Sequence, residues 1–458
     1  MYSMASLWFE SALLPSGWAR GVRLTASGGR IDRVDADTPP QPTDERHAIA
    51  LPGLPNVHSH AFQRGLAGLT ERRGAGEDSF WSWRELMYRF LERLGPEELE
   101  AISALCFAEM LEAGFTHVGE FHYLHHDFDG RPFADPGELA GRIAAAAAAS
   151  GIGLTLLPVF YAHGGFGAAP SAPRQRRFVS DVAGFARILE ACRRVVRPLV
   201  GASVGVAPHS LRAVTPQELA AVVQLAGSGV VHIHIAEQSR EVEECLAWSG
   251  RRPIEWLLDS QPVAARWCLV HATHATAAEL EGIAARGAVA GLCPIPESSL
   301  GDGIFPAADF SARAGRIGIG SDSNIMLDAA AELRTLEYSQ RLARQARNVL
   351  AAGAGASTGR TLFDAALAGG WQALHADAAA PRGLTAGASL DLITLDSRHA
   401  ALLERRDDEI LDSWIFAGGR ELIDCVFRSG ERVVSGGRHR DRDALIARYG
   451  QALRRLRA

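Results

Sequence analysis

The sequence predicts an α/β protein: a TIM-like (β/α)8 barrel joined to a small β-sandwich domain that is built from both ends of the chain. Three observations predict it. Eight short runs rich in Val, Ile, Leu or Gly, each ending in polar residues, recur between residues 51 and 324, separated by amphipathic stretches of helical length. The polar ends of those runs collect histidines and acids, which is where a barrel of this type builds its site. The flanks differ in texture, with short alternating runs broken by Gly and Asp turns.

Residues 1–50 supply the N-terminal part of the sandwich, with residues 22–24 inside one of its strands. Residues 51–383 form the barrel. Its strand runs are 54–60, 116–122, 153–161, 204–209, 230–237, 267–274, 288–294 and 316–322, a span close to the ~250 residues typical of an eightfold barrel and better fitted to it than to an open doubly wound sheet. Helical stretches between 329 and 375 complete the wall around a Gly/Ala/Ser loop at 351–359, and the alanine run 144–149 reads as a plain helix face. Residues 384–458 return to the sandwich through strands near 390–395 and 432–435 and end in a helix, with the charged run 438–442 as its solvated start.

Composition narrows the function. The 458 residues are 47% hydrophobic and 22% charged, enough apolar material for a sizeable core. The net charge of -6 offers no basic field for a nucleic-acid backbone. All 47 basic residues are Arg. Without Lys there is no Schiff base, no lysine-anchored pyridoxal phosphate, no Walker lysine and no carboxylated lysine to bridge two metals. The six cysteines lie singly, as expected of buried thiols in a reducing compartment. Residues 1–15 contain Glu10 and lack a basic start, and no apolar run reaches membrane-spanning length, so the expected location is the cytoplasm, away from membranes.

The chemistry gathers at the run ends. His58 and His60 stand at i and i+2, and on a strand alternate side chains share a face, so both can address one ion. His234 ends the fifth run with Glu237 three residues on; His232 lies one pleat deeper and is expected to be packed and hydrogen-bonded. His271 ends the sixth run and Asp322 the eighth. Taken singly, each of these residues has a structural reading.

Together they resemble the amidohydrolase superfamily, which carries HxH after its first strand, HxxE at the fifth, His at the sixth and Asp at the eighth. The resemblance implies that His58, His60, His234 and Asp322 hold one divalent metal. Three imidazoles and a carboxylate suit Zn²⁺, with Fe²⁺ acceptable. It further implies hydrolysis at a C–N or C=N centre: Asp322 takes the proton of a metal-activated water, Glu237 delivers protons to the leaving nitrogen, and His271 orients or polarises the electrophile.

Within the superfamily the chain resembles the formimidoylglutamate deiminases, hydrolases of linear amidines that act in histidine degradation. The segments carrying this likeness are 56–65, 80–84, 119–123, 207–212, 232–238 and 320–324. A small substrate with two carboxylates calls for guanidinium forks. The resemblance assigns that part to Arg84 and Arg212, with Gln63, Tyr123 and His209 as hydrogen-bonding partners, and implies a homodimer. Arg84 also reads as an Arg stacked on Trp at a helix start. Phe80, Trp81 and Trp83 read as a packed anchor, and His125 and His126 as loop packing or exposed residues. The alternatives are a deaminase of a purine, pterin or other heteroaromatic ring, and a barrel that has lost catalysis.

Overall fold

The computed structural model describes residues 5–73, 79–375 and 382–457. Its strands, in chain order, are β1 (Ala5–Leu14), β2 (Gly17–Ser27), β3 (Arg30–Asp35), β4 (Glu45–Pro52), β5 (Leu54–Ser59), β6 (Phe115–His122), β7 (Gly153–Phe160), β8 (Ser203–Val204), β9 (Ala207–Pro208), β10 (Val231–Ile235), β11 (Trp267–His271), β12 (Val289–Leu292), β13 (Arg316–Ile319), β14 (Leu392–Leu395), β15 (Ile423–Arg428), β16 (Glu431–Ser435) and β17 (Arg438–His439). Strands β5 to β13 form the barrel and the other eight form the terminal domain.

Barrel pairing is parallel throughout. β5, β6, β7 and β8 make one sheet, with β9 continuing on β7, and β10 to β13 make another. Two parallel bridges join these sheets, Val206 to Val231 and Ser59 to Asp322. The His232 N–H donates to the Val206 carbonyl at 3.0 Å across the first seam, and the His60 N–H to the Asp322 carbonyl at 2.8 Å across the second. The strands are buried along nearly their whole length, as unbroken apolar runs in a parallel sheet require. Helices such as Pro96–Glu112 and Glu138–Ser150 pack outside, and the latter buries Ala144, Ala146 and Ala147.

The terminal domain is one mixed sheet in the order β17-β16-β15-β14-β4-β1-β2-β3. β4 joins the two chain ends, parallel to β1 and antiparallel to β14. The sheet folds over on itself: the Ile31 N–H donates to the Ala388 carbonyl and the Leu390 N–H to the Gly29 carbonyl, both at 2.9 Å. Phe9, Val22, Leu24, Leu392 and Phe427 fill the space between as a core of their own.

Two expectations change. Residues 51 and 52 belong to β4 of the terminal sheet, because they continue its pairing with β14, so the barrel begins at Leu54. The run 438–442 is solvated at Arg438, Arg440 and Asp441, but not at Arg442, where the helix starts. Arg438 and His439 form an edge strand, the helix is Arg442–Arg457, and Arg442 is largely buried against Glu109 and Glu112. All six cysteines are buried and free. No helix among the described residues is long and apolar enough to cross a membrane.

Candidate active site and metal centre

The barrel seam positions the site. The Asn56 amide donates to Ser321 Oγ at 2.6 Å and its carbonyl oxygen accepts the Ser321 N–H at 3.1 Å. Ser321 Oγ in turn donates to Asn324 Oδ1 at 2.6 Å, and Asn324 Nδ2 donates to Ser59 Oγ at 3.2 Å. This buried network, closed in every polar contact named, ties the end of β13 to β5 and so fixes Asp322 over His58 and His60. The strand ends turn sharply: Ala236, His271, Ala272, Asp322 and Asn324 all take left-handed φ between 41° and 68°.

Four imidazoles and one carboxylate converge there. Asp322 Oδ1 lies 3.3 Å from Nε2 of both His58 and His60, and His58 Nε2 lies 3.0 Å from His234 Nε2. The ligating atoms of His58, His234, His271 and Asp322 all fall within 4.8 Å of one another. Backbone carbonyls claim the outer nitrogens: His60 Nδ1–H donates to Phe121 O at 2.9 Å and His234 Nδ1–H to His209 O at 3.1 Å. Those bonds leave each Nε2 with a lone pair directed inward. His271 Nδ1–H instead donates to Glu297 Oε1 at 3.1 Å, and that oxygen also accepts the Cys293 N–H.

The electrostatics keep the imidazoles of His58, His60 and His234 neutral. Burial pushes His58 down to about 3, and it lowers His60 and His234 as well. Burial pushes the Asp322 carboxyl up, but the facing histidines override it and hold Asp322 well below the usual carboxylate range. Burial also lowers His271, yet the carboxylates of Glu237, Glu297 and Asp322 outweigh that and raise it. Neutral imidazoles beside an ionised carboxylate are the donor set that a divalent cation of the Zn²⁺ type takes. Two imidazole lone pairs 3.0 Å apart, in a buried site, fit such a cation.

The residues expected to bind substrate are brought to one cavity with these groups. Gln63, Arg84, Tyr123, His209 and Arg212 line it together with His60, His234, Glu237, His271 and Asp322. Gln63 Nε2 donates to Tyr123 Oη at 3.0 Å. Arg212 is buried, its Nε has no hydrogen-bond partner among the described residues, and its Nη2 lies 4.0 Å from Glu237 and 3.9 Å from Glu241. Burial raises the pKa of Glu237. Its N–H and that of Ala236 each donate to Glu241 at 3.2 Å. Arg84 meets both of its readings: it stacks over Trp81 at 4.8 Å near the start of the helix Phe80–Leu91, and it lines the cavity.

The bland readings divide. His232 donates to the Ala373 carbonyl at 2.8 Å beneath the site, and His125 and His126 donate to the carbonyls of Val159 and Val179. Phe80 and Trp83 line the cavity rather than merely anchoring a loop. Glu241, Glu297, Tyr88 and Tyr161 also contribute to the site and lie outside the sequence motifs. Glu241 carries a weak sequence signal, a carboxylate four residues past Glu237, whereas Glu297 carries none because its partner lies 26 residues earlier.

A parallel eightfold barrel whose strand ends present inward-facing imidazoles, an ionised Asp and a buried Glu defines the class of metal-dependent hydrolases. The family model described as "Amidohydrolase family" matches residues 49–433, and "Formimidoylglutamate deiminase HutF, N-terminal domain" matches residues 4–48. The chain belongs to the amidohydrolase family and is an enzyme, a hydrolase acting on C–N bonds. It is 50% identical to a formimidoylglutamate deiminase of Pseudomonas aeruginosa, over 99% of this chain and 100% of that one. A crystal structure of an amidohydrolase from Brucella melitensis shares 53% identity and superposes with a TM-score of 0.96, covering 99% of this chain and 100% of the other. A zinc-bound adenosine deaminase from Xanthomonas campestris, 24% identical, shares the fold with a TM-score of 0.80 over 99% of this chain and 98% of its own.

Proposed function

We propose that this enzyme hydrolyses N-formimidoyl-L-glutamate to N-formyl-L-glutamate and ammonia, a step of histidine degradation, with Zn²⁺ held by His58, His60, His234 and Asp322. The observation that carries the substrate is the pair Arg84 and Arg212, both near the Trp81 ring and lining the same cavity as the histidine cluster. Two guanidiniums, one of them with a buried unpartnered Nε, suit a small dicarboxylate better than an aromatic ring. The 50% identity to a deiminase of that name supports the same reading.

A cation in this site supplies Lewis acidity and lowers the pKa of a coordinated water from ~15.7 toward ~7. Asp322, kept ionised by its histidines, takes the proton from the attacking water. His271, fixed through Glu297, directs its Nε2 at the formimidoyl carbon's substituents and orients them. Glu237, buried with a raised pKa, carries a proton to the departing nitrogen as the C–N bond breaks and ammonia leaves. Gln63, Tyr123 and His209 hydrogen-bond the substrate while Arg84 and Arg212 hold its carboxylates. The proposal extends to a homodimer and to the cytoplasm, a reducing compartment with which the six free thiols are consistent. Ammonia release from N-formimidoyl-L-glutamate, measured beside guanine and cytosine, tests it; activity on a ring substrate alone would replace this reading with the heteroaromatic one.

A further inference from the structure

A second cavity opens outside the one just described. It shares Arg84 and Arg212 with the inner cavity and adds Trp81, Phe166, Arg240, Trp248 and one carboxylate, Glu244. Phe166 and Trp248 stack at its rim, with ring centroids 5.5 Å apart. Three guanidiniums surround one indole: the Cζ atoms of Arg240, Arg84 and Arg212 lie 4.5, 4.8 and 5.9 Å from the Trp81 ring centroid. They form a graded series from solvent inward. The Arg240 side chain is 59% exposed, Arg84 is half-buried, and the Arg212 side chain is 9% exposed.

The carboxylates already present leave the outer end of this series available. Arg240 pairs with Glu244 at 2.7 Å, one helical turn along Ser239–Ser249, and exposed pairs of that kind contribute little and exchange readily. Arg84 has no carboxylate partner among the described residues. An indole face holds a guanidinium through cation–π attraction while leaving its N–H edge free to donate. The chain as a whole carries -6, which repels an anion at long range, so an anionic substrate needs a local positive path to reach the buried centre.

We propose that Arg240 and Trp81 form an outer carboxylate-binding station, from which a small dicarboxylate passes along the Trp81 face to Arg84 and Arg212. This rests on the dicarboxylate reading above and adds to it a second site, with a part in capture rather than in chemistry.

The test compares wild type, Arg240→Gln and Glu244→Gln by steady-state kinetics with N-formimidoyl-L-glutamate at low and high ionic strength. Capture predicts that Arg240→Gln lowers kcat/KM by about 5- to 10-fold at low salt, with kcat and melting temperature unaltered, at or just below the ~10-fold lower limit of charge steering by a whole cleft, as befits the loss of one of several charges. The difference should close to about twofold or less near 0.5 M salt, where exposed charges are screened within a few ångströms. Glu244→Gln frees Arg240 and should raise kcat/KM at low salt, an opposite sign that a structural role for Arg240 would not produce. Equal kcat/KM for wild type and Arg240→Gln at low salt, or a loss that persists at high salt, would overturn the station while leaving the functional reading intact. Wild-type protein that releases no ammonia from this substrate would remove both.

Discussion

Replacing Arg84 with Met separates substrate recognition from folding more cleanly than any other change at the cavity. Arg84 has no carboxylate partner among the described residues; its guanidinium contacts are the faces of Trp81 at 4.8 Å and Tyr88 at 5.5 Å. Each such contact is worth ~0.5–1 kcal/mol at a partly exposed site, and Met retains the apolar stem, so the fold loses at most about 1–2 kcal/mol. The substrate loses far more. A desolvated carboxylate deprived of its fixed partner commonly costs ~2–5 kcal/mol, or roughly 30- to 4,000-fold in kcat/KM. The assay is ammonia release with metal content and melting temperature measured on the same preparation: a large loss in kcat/KM, stoichiometric metal and a nearly unchanged melting temperature are expected. Arg212→Met should behave differently, because its guanidinium also lies 4.0 and 3.9 Å from the buried carboxylates of Glu237 and Glu241. Stranding two buried carboxylates should lower the melting temperature together with kcat/KM. If Arg84→Met keeps kcat/KM within about threefold, less than ~1 kcal/mol, the carboxylate role fails and with it the physical case for an acyclic dicarboxylate substrate.

Asp322→Asn should reduce kcat by ~10²- to 10⁴-fold, as expected for a positioned acid or base, and near-normal turnover in metal-replete protein would take Asp322 out of the proton transfer. Purified enzyme should contain one divalent metal per chain and lose activity on chelation; two equivalents that are both required for turnover would contradict a single site built without lysine. In the terminal domain, burial pushes the Asp44 carboxyl up, but bonds from Arg23, Ser6 and the Gln41 N–H hold it at about 2. Its folded value therefore lies below the unfolded value of ~3.9, so its stabilisation is complete above that value and is lost as pH falls toward 2. Denaturation midpoints of wild type and Asp44→Asn should accordingly converge as pH drops from 5 to 2, and a gap that stays constant would refute the assignment.

The parts of the site legible in the sequence are those where spacing alone dictates direction. His58 and His60 share a strand face because side chains alternate, and His234 and Glu237 straddle the end of the next sheet's first strand. What orients them is less legible, because it comes from remote backbone. No spacing points to the Phe121 carbonyl, which sets the tautomer of His60 from a strand 61 residues on, or to the bond between Asn56 and Ser321 across 265 residues. The misreading of Arg442 has the same origin. A run of charges looks solvated until the opposing surface is known, and here Glu109 and Glu112 of the helix Pro96–Glu112 face it. The extra two residues of β4 were likewise decided by β14, more than 300 residues away in the chain.

The left-handed residues at the strand ends connect these levels. Left-handed backbone at a non-glycine position costs of the order of 1–3 kcal/mol and persists only where the surroundings over-determine it. Here Ala236 is held by its N–H bond to Glu241, Asp322 by its N–H bond to the His58 carbonyl, and Asn324 by its N–H bond to the Ser321 carbonyl. Each turn takes the chain out of strand alternation just where a reactive side chain is needed. Had β11 and β13 continued extended, the side chains next to His271 and Asp322 would alternate away from the barrel axis instead of leaving space above it. The hydrogen bonds that stabilise the strained turns are also those that aim Glu237 and Asp322, so substitutions at Glu241 or Asn56 bear on catalysis through backbone geometry, without touching metal or substrate.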